Sequence, residues 1–271
     1  MGDKLIIFDF SGTLSLEAAR FGRPENLARS LEQSGLADMG IDEATYWQRI
    51  IAPTWKEAST TARGLSAVMV QQVRTLAPKG VSLATVEAAV ARFVAAYLQA
   101  SIVSPRWAPT LAAVNAQPAA VAVVATDHYP EATTAILGHL SSLGLSALPL
   151  KSARTVNLRR SFLIANSADI GYHKASPLFW RELRTRLSLI TPEEILLIDD
   201  FGANETDRTG YATADAVCHR KEKTEAVLGQ AFSAPVTVLP FVVETTGEGK
   251  EVYGQRIQEV YRIVFDFLAT P

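Results

Sequence analysis

Cysteine is nearly absent from this chain. Cys218 is the single cysteine in 271 residues, which excludes an intrachain disulfide framework. It lies in an apolar stretch, residues 216–219, read as a short strand in which the thiol is a small buried hydrophobe. An excess of one charge is lacking too. Lys and Arg number 26 against 28 Asp and Glu, a net charge of −2, so nothing points to a nucleic-acid or anionic-membrane partner. Long apolar runs are missing as well. The run at residues 5–8 is cut by Asp9 with no cleavage region behind it, so it is not read as a signal peptide. No apolar run approaches the ~20 residues that a bilayer-crossing helix needs. Low-complexity stretches and internal repeats are also lacking. The expectation is a cytoplasmic protein, monomer or homodimer, with a small-molecule partner.

What is present is an ordinary globular composition, 48% hydrophobic and 20% charged, on a chain long enough for one α/β core with a smaller inserted domain. Residues 4–10 (KLIIFDF) read as a buried strand closed by Ser11, Gly12 and Thr13. From residue 15 to about residue 107, Ala, Leu, Glu and Gln recur with helical spacing. Residues 85–100 are the clearest case, with Val86, Ala89, Val90, Phe93, Val94 and Tyr97 on one face. Breaks at residues 22–24, 35–40, Pro53 and 78–80 divide this block into four or five helices without a strand. Alternation then begins. Strands are expected at residues 120–126, 161–165, 194–198, 216–219 and 236–243, and helices at 131–143, 177–187 and 255–268. The pattern predicts an α/β fold: a Rossmann-like parallel sheet with helices on both faces. The expected division is a core of residues 1–14 and 108–271, with an all-helical cap of residues 15–107 inserted after the first strand.

In open parallel sheets, ligands bind beyond the carboxyl ends of the strands. The residues just after the strands are Asp9 and Ser11, Thr126 and Asp127, and Asp199 and Asp200, with Lys174 at the start of a helix not far behind another strand. Carboxylates crowded at one edge repel unless a cation joins them, and hard oxygen ligands suit Mg²⁺. The order and spacing of these residues resemble the four motifs of the haloacid dehalogenase superfamily. The first is Asp9-Phe-Ser11-Gly12-Thr13-Leu14 after an apolar strand; the second is Val123-Val-Ala-Thr126. The third is Ser167 through Gly171 to Lys174, and the fourth is Ile195-Leu-Leu-Ile-Asp199-Asp200 followed by Asn204 and Glu205.

The resemblance implies that Asp9 attacks phosphorus to form an aspartyl-phosphate. It implies that Asp9, the backbone carbonyl of Ser11 and Asp200 hold Mg²⁺, with Asn204 or Glu205 reaching the metal or its water. Thr126 and Lys174 would bind the oxygens of the transferring group, and Asp199 would orient Lys174 or cap a loop. The helical insert matches the family's caps, which close over the site and choose the substrate.

One position departs from the family's phosphatases, which carry a second Asp two residues after the nucleophile. That residue is Ser11 here, which has no useful acid near neutral pH, and general acid–base groups contribute about 10²–10⁴ in rate. Three readings follow. The first is a Mg²⁺-dependent hydrolase of a phosphorylated small molecule, slow or specialised. The second is a phosphonatase-like C–P hydrolase, for which Lys56 would be the Schiff-base lysine. The third is a non-catalytic binder of a phosphorylated metabolite. Haloacid dehalogenase chemistry fits less well, because those relatives need no metal and tend to lose the acid that Asp200 supplies. His128 could lend an acid but reads better as a surface-loop histidine. Tyr46, Trp47 and Trp55 read as packing among the cap helices.

Overall fold

The run DKLIIF has an apolar side chain for either face of a sheet. In the computed structural model of the chain it forms β1 (Asp3–Phe8), buried from Lys4 onward. The structure describes residues 3–155, 158–187, 190–205, 212–243 and 249–270. Five more strands follow: β2 (Ala120–Thr126), β3 (Ala147–Pro149), β4 (Phe162–Asn166), β5 (Pro192–Asp199) and β6 (Val236–Pro240). They form one parallel sheet in the order β3-β4-β2-β1-β5-β6. The chain builds outward from β1 on one side, then returns to build on the other. β1 is therefore the switch point, and its carboxyl end is where an open sheet offers a crevice.

Each strand puts alternate residues on opposite faces. Ile6 and Phe8 enter a core closed by α7 (Ala108–Asn115), α8 (Glu131–Ser142) and α12 (Gly249–Ala269). Leu5 and Ile7 enter a second core closed by α10 (Pro177–Arg186) and α11 (Ala214–Phe232). The Rossmann-like α/β architecture is thus realised, with helices on both faces.

Between β1 and β2 lie α1 (Leu16–Phe21), α2 (Pro24–Ser34), α3 (Glu43–Thr45), α4 (Ala52–Thr60), α5 (Gly64–Leu76) and α6 (Leu83–Ala100). They share their own apolar cluster, centred on Leu27, Ile50, Met69 and Phe93, into which Tyr129 reaches from the loop after β2. Polar contacts tie this helical layer to the sheet. Glu131 of α8 accepts the backbone N–H groups of Leu65 (3.3 Å) and Ser66 (3.1 Å) at the start of α5. Gly64 has φ +78 and packs so closely on that carboxylate that a Cβ would lie 2.6 Å from it, so only glycine fits. The Ser167 hydroxyl of α9 (Ser167–Ile170) donates to the Ser59 carbonyl at 2.6 Å.

Several expectations need correction. Residues 216–219 are helical, inside α11, and Cys218 is exposed, not a buried hydrophobe. Thr213 caps α11 and Asp215 sits in its first turn, which overrides the short apolar run. Pro53 ends nothing: it sits at the start of α4, directly after helical backbone. The chain runs from α3 into α4 through a π-helical segment, Tyr46–Ile51. Lys174 lies in the connection between α9 and α10, not at a helix start. The edge strand β3 is too short to show a period. The stretch Leu83–Asn115 has the length and apolar composition of a bilayer-crossing helix, against the reading from run lengths. Here it is two helices: α6 faces the apolar cluster of the helical layer through Val86, Val90 and Phe93, while α7 faces the sheet through Leu111 and Val114.

Candidate active site

Register sets the site before any side chain is considered. Phe8 of β1 pairs with Val124 of β2 on one side and Ile198 of β5 on the other. The residues that follow, Asp9, Thr126 and Asp199–Asp200, therefore leave three adjacent strands at one edge. The Asp9 N–H donates to the Ile198 carbonyl at 2.8 Å, so the backbone stays anchored where the side chain becomes useful.

Four charged groups at this edge are buried, Asp9, Lys174, Asp199 and Asp200, and Asp127 and Glu205 beside them are half-buried. Lys174 Nζ donates to Asp9 Oδ1 at 2.5 Å and to Asp199 Oδ2 at 2.7 Å. The backbone N–H of Lys174 donates to Asp127 Oδ1 at 2.8 Å, which places the lysine at the end of β2. Asp199 has a second task, since its Oδ1 accepts the Phe201 N–H at 2.7 Å. Asp200 accepts the N–H groups of Gly202 (3.1 Å) and Asn204 (2.9 Å), and its own N–H donates to the Thr13 hydroxyl at 3.1 Å. Oxygens of Asp9, Asp199 and Asp200 lie within 4.8 Å of one another.

The turn after β1 is shaped to meet them. Gly12 has φ +79, and a Cβ there would lie 2.2 Å from Asp200 Oδ2, so glycine is required twice over. Asn204 locks the two turns together. Its amide donates to the carbonyls of Gly12 and Phe241, both at 2.8 Å, and its Oδ1 accepts the Val243 N–H at 2.8 Å. Those bonds fix the Asn204 side chain between the two turns, with both amide hydrogens donated and the oxygen accepting one N–H. The Ser11 hydroxyl donates to Glu205 Oε1 at 2.9 Å. Thr126 Oγ1 is buried and has no hydrogen-bond partner, an uncommon state for a hydroxyl at the end of a strand.

The electrostatics are one-sided. Burial pushes the Asp9 carboxyl up to about 8, with Lys174 pulling against it and Asp199 adding to it. Burial, then Asp9 and Asp199, raise Asp200 far above the usual carboxylate range. Burial raises Glu205 as well, opposed by Ser11 and the charge of Arg220. Lys174 would be lowered by burial alone, but Asp199, Asp9 and Asp127 outweigh that and hold the ammonium charged.

The two low-expectation residues fall differently. Lys56 is exposed on α4 and makes no bond to this cluster. His128 is buried, not a surface-loop histidine: it is 2% exposed. Its Nδ1 accepts the Tyr129 N–H at 2.8 Å, so that nitrogen carries no proton. Nε2 meets the Tyr97 hydroxyl of α6 at 2.8 Å, and burial lowers the imidazole to about 4. The rings of Tyr97 and His128 stack at 5.7 Å, and His128 lies edge-on to Phe10 at 5.8 Å. Trp55 stacks on His173 at 5.9 Å, and His173 Nε2 meets the Ser59 hydroxyl at 2.7 Å. Tyr46 and Trp47 pack on each other and, through Tyr46, on Phe93.

Two contributors went unnoticed in the sequence. Phe201 has a left-handed backbone, φ 51, which no sequence rule assigns to phenylalanine. Arg220 donates to the Phe201 carbonyl from α11. Reading residues 216–219 as a strand hid it; the Thr213 cap and the acidic first turn were the signals available.

No family model and no curated protein matches this chain. Among solved structures, its fold is similar to that of a 2-haloacid dehalogenase from Pseudomonas syringae pv. tomato DC3000. The TM-score is 0.54 at 13% identity, over 97% of this chain and 99% of that one. A haloacid dehalogenase-like family hydrolase from Xanthomonas campestris aligns with a TM-score of 0.47 at 13% identity, over 98% and 95%. At these identities the likeness is one of fold.

Proposed function

We propose that this chain is a hydrolase of the haloacid dehalogenase superfamily that cleaves a phosphorylated small molecule with Mg²⁺, using Asp9 as nucleophile. The observation that carries the reading is the charge imbalance at the end of β1. Three carboxylates, Asp9, Asp199 and Asp200, are buried together, and the one lysine among them pairs with only two, Asp9 and Asp199. Buried charge without a partner is costly, and a divalent cation would balance it with oxygen ligands of the right hardness. Asp9, Asp200 and the Ser11 carbonyl would hold the ion, which supplies neutralisation of charge on the transferring group.

The remaining work falls to the chain itself. The Asp9 carboxylate forms an O–P bond as the bond from phosphorus to the leaving oxygen breaks, giving an aspartyl-phosphate that water then hydrolyses. Lys174, charged and 2.5 Å from Asp9, offsets negative charge on the phosphoryl oxygens. The unpartnered Thr126 hydroxyl donates to one of them. Asp199 holds Lys174 in place. Ser11 brings no acid, so the leaving oxygen must be a good leaving group, or the reaction is slow.

A second reading has one observation in its favour: the fold matches a 2-haloacid dehalogenase, and Ser11 lacks the phosphatase acid. The deciding experiment measures p-nitrophenyl phosphate turnover with and without Mg²⁺ for wild type, Asp9→Asn and Ser11→Asp, beside halide release from 2-chloropropionate in EDTA. Expected are Mg²⁺-dependent phosphate release by wild type, none by Asp9→Asn, and faster turnover of poor leaving groups by Ser11→Asp. Halide release in EDTA without phosphate release would replace this reading with dehalogenation. Tight phosphate binding without either turnover would make the chain a binding protein.

A further inference from the structure

The turn that presents Asp200 contains a conformation its sequence does not favour. Phe201 has φ 51, one of two non-glycine residues with positive φ among those described. A bulky L residue is strained there and stays only if its surroundings hold it. Phe201 is held at three points. Its N–H donates to Asp199 Oδ1 at 2.7 Å. Its ring is buried in the core beneath α10 and α11. Its carbonyl accepts two bonds from the Arg220 guanidinium, Nε at 2.9 Å and Nη2 at 2.7 Å.

The consequence of that strain lies next door. Gly202 follows with φ 78, and the two left-handed residues together reverse the chain. The reversal aims the amides of Gly202 and Asn204 at the two oxygens of Asp200. Relaxation of residue 201 to the right-handed region would open the turn, withdraw both amides and free the Asp200 carboxylate to rotate. The Asp199 bond fixes the start of the turn and the Ala203 N–H, donating to the Asp200 carbonyl at 2.9 Å, closes it; Arg220 is the side chain that holds the Phe201 carbonyl between them. A planar guanidinium giving two N–H groups to one oxygen fixes direction as well as distance. The helix that carries it, α11, packs along α10, so the anchor is rigid.

We propose that Arg220 is a positioning residue for the candidate metal site: it pins Phe201 in its left-handed conformation and so keeps Asp200 facing Asp9. The metal part of this rests on the reading of Asp200 given above, and the test keeps the two apart. Amide hydrogen exchange at Gly202 and Asn204, without metal, reads the turn alone. The Mg²⁺-induced rise in Tm reads the ion. Both are measured for wild type, Arg220→Met, Arg220→Lys, Phe201→Gly and Arg220→Met/Phe201→Gly.

Arg220→Met should speed exchange at both amides about tenfold or more, the scale of two charge-assisted hydrogen bonds. It should raise the Mg²⁺ concentration for the half-maximal Tm shift in step. Arg220→Lys keeps the charge near Glu205 but loses the fork, so its exchange should follow Met. In the Phe201→Gly background the Arg220→Met effect should shrink to under about twofold, because glycine takes positive φ without strain. Unchanged exchange in Arg220→Met, lysine performing as well as arginine, or an equal effect in the glycine background would each overturn the proposal. A wild type whose Tm ignores Mg²⁺ would overturn the metal reading, and the exchange data alone would then judge Arg220.

Discussion

Two polar clusters are buried side by side at the end of this sheet, and they are built differently. One joins the helices between β1 and β2 to the sheet through hydroxyls, imidazoles and backbone groups. Tyr97 meets His128, Ser59 meets His173, Ser167 donates to Ser59, and Glu131 takes two amides of α5. In the other, Lys174 pairs with Asp9 and Asp199, Asp200 lies beside them, and the Thr126 hydroxyl has no partner among the described residues. The first cluster closes upon itself. A satisfied polar network rigidifies, so it suits a seam that must hold. The second crowds carboxylates whose ionisation burial opposes beside a spare donor, and perturbed groups of that kind cluster at functional sites. The difference separates residues that hold the helical layer on the sheet from carboxylates crowded at the strand ends.

Asp9→Asn should break the comparison most sharply. Turnover should fall by at least about 10³-fold, since the nucleophile is lost. The same change removes one of three crowded carboxylates, so the metal-free protein should melt at a higher temperature than wild type. Calorimetry in EDTA checks this. A lower Tm would mean that the acidic cluster is balanced without a ligand.

Lys174→Met tests the opposite side of that balance. Removing one partner of a buried ion pair typically costs about 3–5 kcal/mol, and here three carboxylates would remain. Urea unfolding in EDTA should show a loss of this size, and Mg²⁺ should restore part of it. A matching substitution in the seam, Tyr97→Phe, should lose only about 1 kcal/mol and show no response to Mg²⁺.

The difference between the clusters also marks how far the sequence could be read. β2 and the acidic strand ends are legible because an apolar run that stops at Asp or Thr has one physical meaning in a parallel sheet. Asp9, Thr126, Lys174, Asp199 and Asp200 stand together for that reason. The seam is not legible, because its bonds join residues tens of positions apart with no periodic signature. His128 illustrates this: as a loop residue it looks exposed, and only Tyr97, 31 positions earlier, explains its burial. Asn204 is legible as a site residue from its spacing, but its three bonds to the chain are not. Phe201 and Arg220 are silent for a further reason, since strain is a property of tertiary context rather than of residue type.

His128 gives the seam a pH signature. In the unfolded chain it takes up a proton below its ordinary value of 6.5, but in the folded protein only near 4. Between those values the unfolded state binds more protons, so stability falls as pH drops through that window. Above 6.5 this residue contributes no pH dependence. The loss is at most about 3 kcal/mol. His139 is lowered in the same direction and is present in either protein, so it cancels in a comparison. Urea unfolding of wild type and His128→Gln at neutral pH and at about pH 4.5 should show the gap between them narrowing or reversing in acid. A constant gap would mean that the imidazole is not held neutral by burial.

Thr126→Val carries the smallest expected effect and the finest distinction. Valine keeps the shape and β-branching of threonine and lacks the hydroxyl. In the seam such a loss would leave partners stranded; Ser167→Ala, for example, strands the Ser59 carbonyl and should cost about 1–3 kcal/mol. At Thr126 nothing is bonded to the hydroxyl, so its removal strands nothing. Stability in EDTA should be unchanged or slightly higher. Turnover should still fall about 10–100-fold, the scale of one hydrogen bond to a charged group. Stability and activity moving apart at this residue, and together at Ser167, would locate the boundary between the closed network and the open one. Equal loss of both at Thr126 would place its hydroxyl in the structural network instead.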